Sequence, residues 1–572
     1  MKRFVVGLLA TIGLLALLLA GGTAAAVWLL LPAKPDLPSQ IVLALDLRQG
    51  LDEVAATDPL SALGLAAAPT LTEVILALDR AGQDPRVKGL VAQLSGEGPG
   101  LAQTQELRAA LAGFRAQGKF AYAYADSFGE FGPGTRGYYL ATAFEQIHLQ
   151  PVGSLGLTGF LIETPFLRGL FDKLGIQPSG DKRGVYKTAA DMFLEDELTP
   201  AHKEALESLA DSLDQQIKTG IGEGRALDPA LVARLIDDGP YFALEAQQAG
   251  LVDRLSYWDE VREQAKEVAG AGSELVGLTD YARALDEVAD DASVIALVRG
   301  VGQIQRGDSD YGPAGGWVMG GDTVAGAIAA AIDDPEVEAI LFRIDSGGGS
   351  AVASETIGRQ VRRAVEGGKP VVVSMGDVAA SGGYWIAMDA SKIVAGAGTL
   401  TGSIGVFAGK PVLDRLWQEV GVNWGRVQRG ANADMWSTGL DFDARGRARL
   451  EAFLDRIYEA FVEGVARGRQ MAEGDVRKAA EGRVWTGAQA RELGLVDDLG
   501  GFARALELAR EAIGLAPDRP VELRLFPPER TPLEQALELL DGSPIGLDAV
   551  RSWLLRRLAA PGVLSTPPLL LR

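Results

Sequence analysis

Two short segments of this 572-residue chain put a nucleophile and glycine N–H groups where acyl chemistry needs them. In Asp377-Val378-Ala379-Ala380-Ser381-Gly382-Gly383-Tyr384-Trp385 a serine stands among small residues, directly after a predicted buried strand and before a predicted helix. Such a turn exposes the hydroxyl together with the N–H of Gly382. Ser346-Gly347-Gly348-Gly349-Ser350 follows another strand-like run, Ile340 to Ile344, so its amides can face the same point. N–H groups aimed at a developing oxyanion lower the barrier of acyl transfer more than most other devices. Taken singly, each segment also fits a plain glycine-rich turn.

A serine hydroxyl needs a base. The chain has no cysteine, which removes thiol nucleophiles, disulfides and thiolate metal sites together, and its two histidines, His148 and His202, both precede the serine by a long stretch. His202 falls in the first turn of a predicted helix and His148 in a strand-like segment, so both read as structural. The other known activator is a neutral lysine, which needs an apolar pocket to bring its pKa from about 10.4 toward ~7–8. Lys187, in Gly184-Val185-Tyr186-Lys187-Thr188-Ala189-Ala190-Asp191-Met192-Phe193, has apolar company of that kind. A lysine by itself reads as a surface residue, and only the wider organisation of the chain changes this.

That organisation is a duplication. Asp84 to Leu94 is matched by Asp334 to Ile344, Gly137-Tyr138-Tyr139-Leu140-Ala141 by Gly383-Tyr384-Trp385-Ile386-Ala387, and Ala249-Gly250-Leu251-Val252-Asp253 by Leu493-Gly494-Leu495-Val496-Asp497. A shift of roughly 250 residues is too long for a solenoid and means a repeated domain. Short β-branched runs such as Val371 to Val373 alternate with helical patterns, which predicts βαβ units and mostly parallel sheets. Thr199-Pro200 opens a helix with Leu206, Leu209, Leu213 and Ile217 on one stripe, and Leu450, Phe453, Leu454, Ile457, Tyr458 and Phe461 form another. Aligned copy on copy, Thr135 takes the slot of Ser381 and Gly430 that of Lys187. One copy keeps the base and the other the nucleophile, as expected of a single site built across the repeat interface.

The N-terminus and the charge set the setting. Lys2 and Arg3 precede an uncharged apolar run from Phe4 to Leu31, longer than the ~20 residues that cross a bilayer. Cleavage near Ala24-Ala25-Ala26 would leave Val27 to Leu31 as an exposed apolar start, so the run reads as an uncleaved anchor with the remainder on the far side of the membrane. A net charge of −21 leaves no basic footprint for nucleic acid. Two competing motifs are weak. Gly132 to Gly137 has dinucleotide-loop spacing without a fitting acidic strand end, and Ser179-Gly180-Asp181-Lys182 has Ser-x-x-Lys spacing in what reads as a polar loop.

The anchor, the duplication, Tyr186-Lys187-Thr188-Ala189, Ala380-Ser381-Gly382-Gly383-Tyr384-Trp385 and Leu400-Thr401-Gly402-Ser403-Ile404-Gly405 together resemble the long form of the bacterial signal peptide peptidase A family, also called protease IV. The resemblance runs from the anchor to about residue 515. It implies an α/β fold of two tandem Clp/crotonase-like repeats after one transmembrane helix. It further implies a serine endopeptidase of the inner membrane, catalytic part extracytoplasmic, which digests signal peptides left after secretory processing. Ser381 would be the nucleophile, Lys187 the general base and Ser403 the hydroxyl orienting the lysine amine. The amides of Gly382 and of Gly348 or Gly349 would hold the oxyanion. Family members usually carry Asn where this chain has Asp345 and Ser-Pro-Gly-Gly where it has Ser346-Gly347-Gly348-Gly349.

Expected partners are peptide substrates, membrane lipid at the anchor and further copies of the chain, by resemblance a homotetramer; no metal or organic cofactor is required. The chain divides into an anchor (1–36), a repeat carrying the lysine (37–290), a repeat carrying the serine (291–516) and a Pro-rich arm with an amphipathic stretch around Trp553 to Leu558 (517–572). Two other readings stay open at this level: a crotonase-like acyl-CoA enzyme, which uses the same strand-and-glycine oxyanion device, and a non-catalytic membrane scaffold.

Overall fold

Near-continuous apolar runs, the mark of strands buried on both faces, become the two parallel sheets of the chain. The computed structural model describes residues 35–54, 69–285, 291–311, 316–516, 519–528 and the backbone of 570–571. The Phe4–Leu31 run and the stretch around Trp553 lie outside the described residues; among the described residues no helix is long and apolar enough to cross a membrane.

In the first repeat the strands that build the main sheet and reach the site are β1 (Ile41–Asp46), β2 (Val87–Leu94), β3 (Phe120–Ala125), β4 (Gln146–Leu149), β5 (Gln177–Arg183), β6 (Arg254–Leu255) and β7 (Glu274–Gly277). All but β5 form one sheet in the order β7-β1-β2-β3-β4-β6, every pairing parallel. In the second repeat β8 (Ser293–Val301), β9 (Val337–Ser346), β10 (Val371–Ala380), β11 (Lys392–Ala395), β12 (Leu400–Gly402), β13 (Val406–Val412), β14 (Val484–Thr486), β15 (Asp498–Leu499) and β16 (Val521–Phe526) follow. Here β16-β8-β9-β10-β11-β15 repeats the first order strand for strand, again parallel.

The repeated sequence segments meet one another in the fold. Tyr138 donates from its hydroxyl to the Leu251 carbonyl at 2.8 Å, and Tyr384 to the Leu495 carbonyl at 2.8 Å. Asp253 accepts from the Ile147 N–H, as Asp497 does from Ile393. Each copy thus ties the segment leading into β6 or β15 to the helix after its third strand and to its fourth strand by the same pair of contacts. One expectation is corrected at the C-terminal end: Val521–Phe526, assigned from sequence to a peripheral arm, is the edge strand of the second sheet in the place β7 holds in the first. Prolines on both sides masked a six-residue strand.

The helices that matter for the site are α1 (Leu71–Gln83), α2 (Leu101–Ala116), α3 (Thr135–Ala141), α4 (Pro200–Arg225), α5 (Ala351–Glu366), α6 (Gly382–Trp385), α7 (Ala444–Gly468) and α8 (Phe502–Ala512). The two repeats interlock rather than merely touch. Phe502, Ala505 and Ala509 of α8 are buried in one apolar core with Leu78, Leu107, Leu341 and Val372, residues of both copies. The helix ends are capped across the seam. Asp377 accepts from the N–H groups of Ala102 and Gln103 at the start of α2, which has only Gly100 as its own cap, while Glu106 of α2 accepts from the Phe502 N–H at the start of α8. Between them the fully buried Arg343 pairs with Glu53 at 2.6 Å and Glu106 at 2.8 Å.

Candidate active site

Ser381 owes its position to a strand that changes partner. β10 runs beside β11 through residues 372–375 and beside β12 through residues 378–380, and the next residue is Ser381. Its φ of 55° and ψ of −118° turn the chain sharply before α6. For a residue with a side chain that left-handed backbone costs about 1–3 kcal/mol, a strain of the kind that concentrates at functional sites. The Ser381 N–H is held by the Gly402 carbonyl at 2.9 Å, so the last residue of β12 fixes the turn.

Lys187 arrives from the other repeat. Its amine nitrogen donates to Ser381 Oγ, Ser403 Oγ and the Ser403 carbonyl, each at 2.9 Å. The side chain is buried, and burial pulls the amine down to about 7. What delivers it is a ribbon of one strand from each repeat: β5 and β13 pair antiparallel from Arg183–Val406 to Gln177–Val412. Ser179 to Lys182 therefore lies within β5, not in the loop expected from its glycine and polar residues, because the ladder to β13 supplies the backbone bonds that composition could not reveal.

The lysine segment is then clamped by Glu481-Gly482-Arg483, three residues with no motif to mark them in the sequence. The Tyr186 N–H donates to the Glu481 carbonyl at 2.8 Å and the Ser403 N–H to the Arg483 carbonyl at 2.7 Å. A Cβ on Gly482 would sit 2.5 Å from the Lys187 backbone nitrogen, so only glycine lets the two backbones meet. The Arg483 guanidinium lies over the Tyr186 ring and pairs with Glu204 of α4 at 2.7 Å. Its sequence carries no motif of its own.

The glycine loop after β9 closes the site from the remaining side. Ser346 donates to the Gly302 carbonyl at 2.6 Å and accepts from the Gly348 N–H at 3.1 Å. A Cβ on Gly348 would lie 2.6 Å from the Gly382 nitrogen, which shows how closely the loop runs against the turn after Ser381. Ser381, Lys187, Ser403, Gly382, Gly348 and Gly349 are thus brought to one place within a single chain.

The other candidates stand elsewhere. Thr135 opens α3 as Ser381 opens α6, but it is buried, donates to the Gly159 carbonyl and accepts from the Thr158 N–H. Gly430 lies in an exposed loop. His148 is enclosed beside Tyr122 and Ser256, and His202 lies 3.5 Å from Asp191, both away from Ser381's hydrogen bonds. The Gly132–Gly137 spacing reflects packing: a Cβ on Gly137 would lie 1.8 Å from the Ser95 carbonyl oxygen.

The pattern of Peptidase family S49 matches residues 114–272 and 363–516, one segment in each repeat. The chain is 31% identical over 472 residues to Protease 4 of Haemophilus influenzae, spanning 79% of this chain and 74% of that protein. It is 32% identical to Protease 4 of Salmonella typhi, covering 83% of this chain and 76% of the relative. To the chloroplastic serine protease SPPA of Arabidopsis thaliana it is 30% identical, covering 84% and 71%. A mixed α/β chain with duplicated parallel sheets and a serine at a strand-to-helix turn is of the serine protease class. It belongs to Peptidase family S49, in the branch of protease 4, as the sequence resemblance implied. That membership sets aside the acyl-CoA and scaffold readings.

Proposed function

We propose that this protein is a membrane-anchored endopeptidase with a Ser381/Lys187 dyad, acting on signal peptides left after precursor processing. The observation that carries the dyad is the buried Lys187 amine, 2.9 Å from both Ser381 Oγ and Ser403 Oγ. In this reading the neutral amine takes the Ser381 proton as Oγ attacks the peptide carbonyl. The lysine then protonates the leaving amine, and water, deprotonated by the same lysine, releases the acyl group. Ser403 holds the amine in line. The Gly348 N–H is spent on Ser346, which favours Gly349, with Gly382, as the oxyanion donors.

The apolar N-terminal run supports an anchor with the catalytic part on the extracytoplasmic side, and the resemblance supports a Clp/crotonase-like kinship of fold and a homotetramer. The division at 36, 290 and 516 belongs to the same reading, with the last boundary moved beyond Phe526 to include β16.

The test is cleavage of a fluorogenic signal-peptide-like substrate by the full-length protein in detergent. Ser381→Ala and Lys187→Ala are expected to lose activity by a factor on the order of 10³ or more, and Thr135→Ala to retain it. Activity surviving Ser381→Ala overturns the assignment.

A further inference from the structure

The strand that ends on Ser381 carries an irregularity. β10 follows β9 residue for residue from Val371–Ile340 to Met375–Ile344, then resumes only at Ala379–Ser346. Three residues, Gly376, Asp377 and Val378, stand opposite Asp345 alone. They fall where β10 leaves β11 for β12, the switch that points the strand at the lysine. A bulge of this kind drops bonds from the ladder, and they must be replaced. Val378 gives its N–H to Asp345 Oδ1 at 2.9 Å, and the Gly376 carbonyl accepts from Thr399 Oγ1 at 2.7 Å. The Asp377 carboxylate turns outward to α2 of the first repeat, accepting from Ala102 at 2.8 Å and Gln103 at 3.2 Å.

We propose that Asp345 and Asp377 are positioning residues for Ser381: Asp345 holds the bulge by the Val378 N–H, and Asp377 pins the same bulge to the repeat that supplies Lys187. The inference rests on the reading of Ser381 as nucleophile and adds to it a support for the strand behind it. The dyad spans two repeats, so its closure depends on how the Ser381 strand is fixed to the other copy. Asp377 makes that fixing bond four residues before the nucleophile.

The same pair makes the support responsive to pH. Asp345 and Asp377 are partly buried beside Glu53, with Glu106 on α2 and the cations Arg343 on β9 and Arg299 on β8. Burial, then the Asp377 and Glu53 carboxylates, raises Asp345 above the ordinary carboxylate range; burial also raises Asp377, against the pull of the α2 N–H groups. The pair therefore holds on to a proton to higher pH than free carboxylates do. Full ionisation in alkali sets two carboxylates against each other across the bulge.

The experiment compares the full-length wild-type protein with Asp345→Ala, Asp345→Asn, Asp377→Ala and Asp377→Asn. It reads kcat and KM between pH 6 and 10, fluorophosphonate labelling of Ser381, and hydrogen exchange at the Val378 amide. Asp345→Ala is expected to lower kcat about tenfold or more with KM within about twofold, since small misplacements of reacting groups are costly, and to speed Val378 exchange. Asp345→Asn keeps the acceptor, so it is expected to restore neutral-pH kcat and to hold its activity in alkali where the wild type declines. Asp377→Asn is expected to outperform Asp377→Ala, because an amide oxygen still caps α2. An Asp345→Ala enzyme with unchanged kcat, or Asp345→Asn declining in alkali as the wild type does, overturns the proposal. Failure of wild-type Ser381 to label overturns the nucleophile reading instead. Unchanged Val378 exchange in Asp345→Ala overturns the positioning role independently of activity.

Discussion

Lys187 is placed where its charge is unwelcome, and that has two measurable consequences. Because burial lowers the amine to about 7, cleavage should rise with pH through that value, and Lys187→Arg, which keeps a cation that does not deprotonate, should be inactive at every pH. A rate flat from pH 6 to 8 would contradict this. The stability sign follows from the same shift. Between about 7 in the folded chain and about 10.4 unfolded, the unfolded state binds the extra proton, so this lysine costs stability below pH 7 and ceases to as pH rises through the window. The shift corresponds to roughly 4–5 kcal/mol at most. Lys187→Met is therefore expected to raise the melting temperature more at pH 6 than at pH 10, and an equal gain at both would deny the lysine its buried, neutral state. Ser381 and Lys187 were legible as candidates in the residue string, from their small and apolar neighbours together with the duplication that leaves each in one copy only. Gly482 and Asp345 were not, because a close approach and a bulge are relations between segments far apart in sequence.

At the scale of elements, the seam is built from features that look like defects in either repeat alone. α2 begins on Gly100 without a side-chain cap of its own and receives Asp377 from the other copy. Arg343 lies in the middle of a buried strand and meets Glu53 and Glu106 of the first repeat. Burial drives Glu106 up to about 7, with Glu53 adding to it and Arg343 opposing, while Arg343 holds Glu53 below its usual range despite burial. Removing one partner of such a cluster strands the others, at a cost of about 3–5 kcal/mol. Arg343→Met should thus lower the melting temperature of the whole chain in a single transition and abolish cleavage. Retained stability would show that the seam does not depend on the pair. The β5–β13 ribbon belongs to this scale too, and Ser179 to Lys182 read as a loop because the ladder bonds of β5 come from β13, a strand more than two hundred residues away.

The whole molecule carries a net charge of −21, and a field of that sign attracts positively charged peptides over a distance that salt shortens. If signal peptides with their basic ends are the substrates, kcat/KM for a peptide with two added lysines should fall several-fold between low and 0.5 M salt. The neutral version should change little, and kcat should hold for both. Parallel salt responses for both peptides would remove charge from substrate recruitment. The exposed apolar residues of the ribbon region, among them Leu170, Leu174, Trp424 and Val427, lie where the expected assembly of copies can be checked by sedimentation with and without Trp424→Asp.

The sequence alone determined the duplication, the parallel α/β class and the placing of Ser381 and Lys187 in different copies, because hydrophobic period, repeated anchors and residue type are local and survive in the string. Tertiary structure alone decided that Lys187 and Ser381 meet within one chain. It also showed that a six-residue strand beyond Ala516 closes the second sheet, and that carboxylates from each copy cap helices of the other. The reason is physical: a helix cap, a ribbon pairing or a depressed amine is a property of what surrounds a residue in space, and those neighbours come from the opposite repeat.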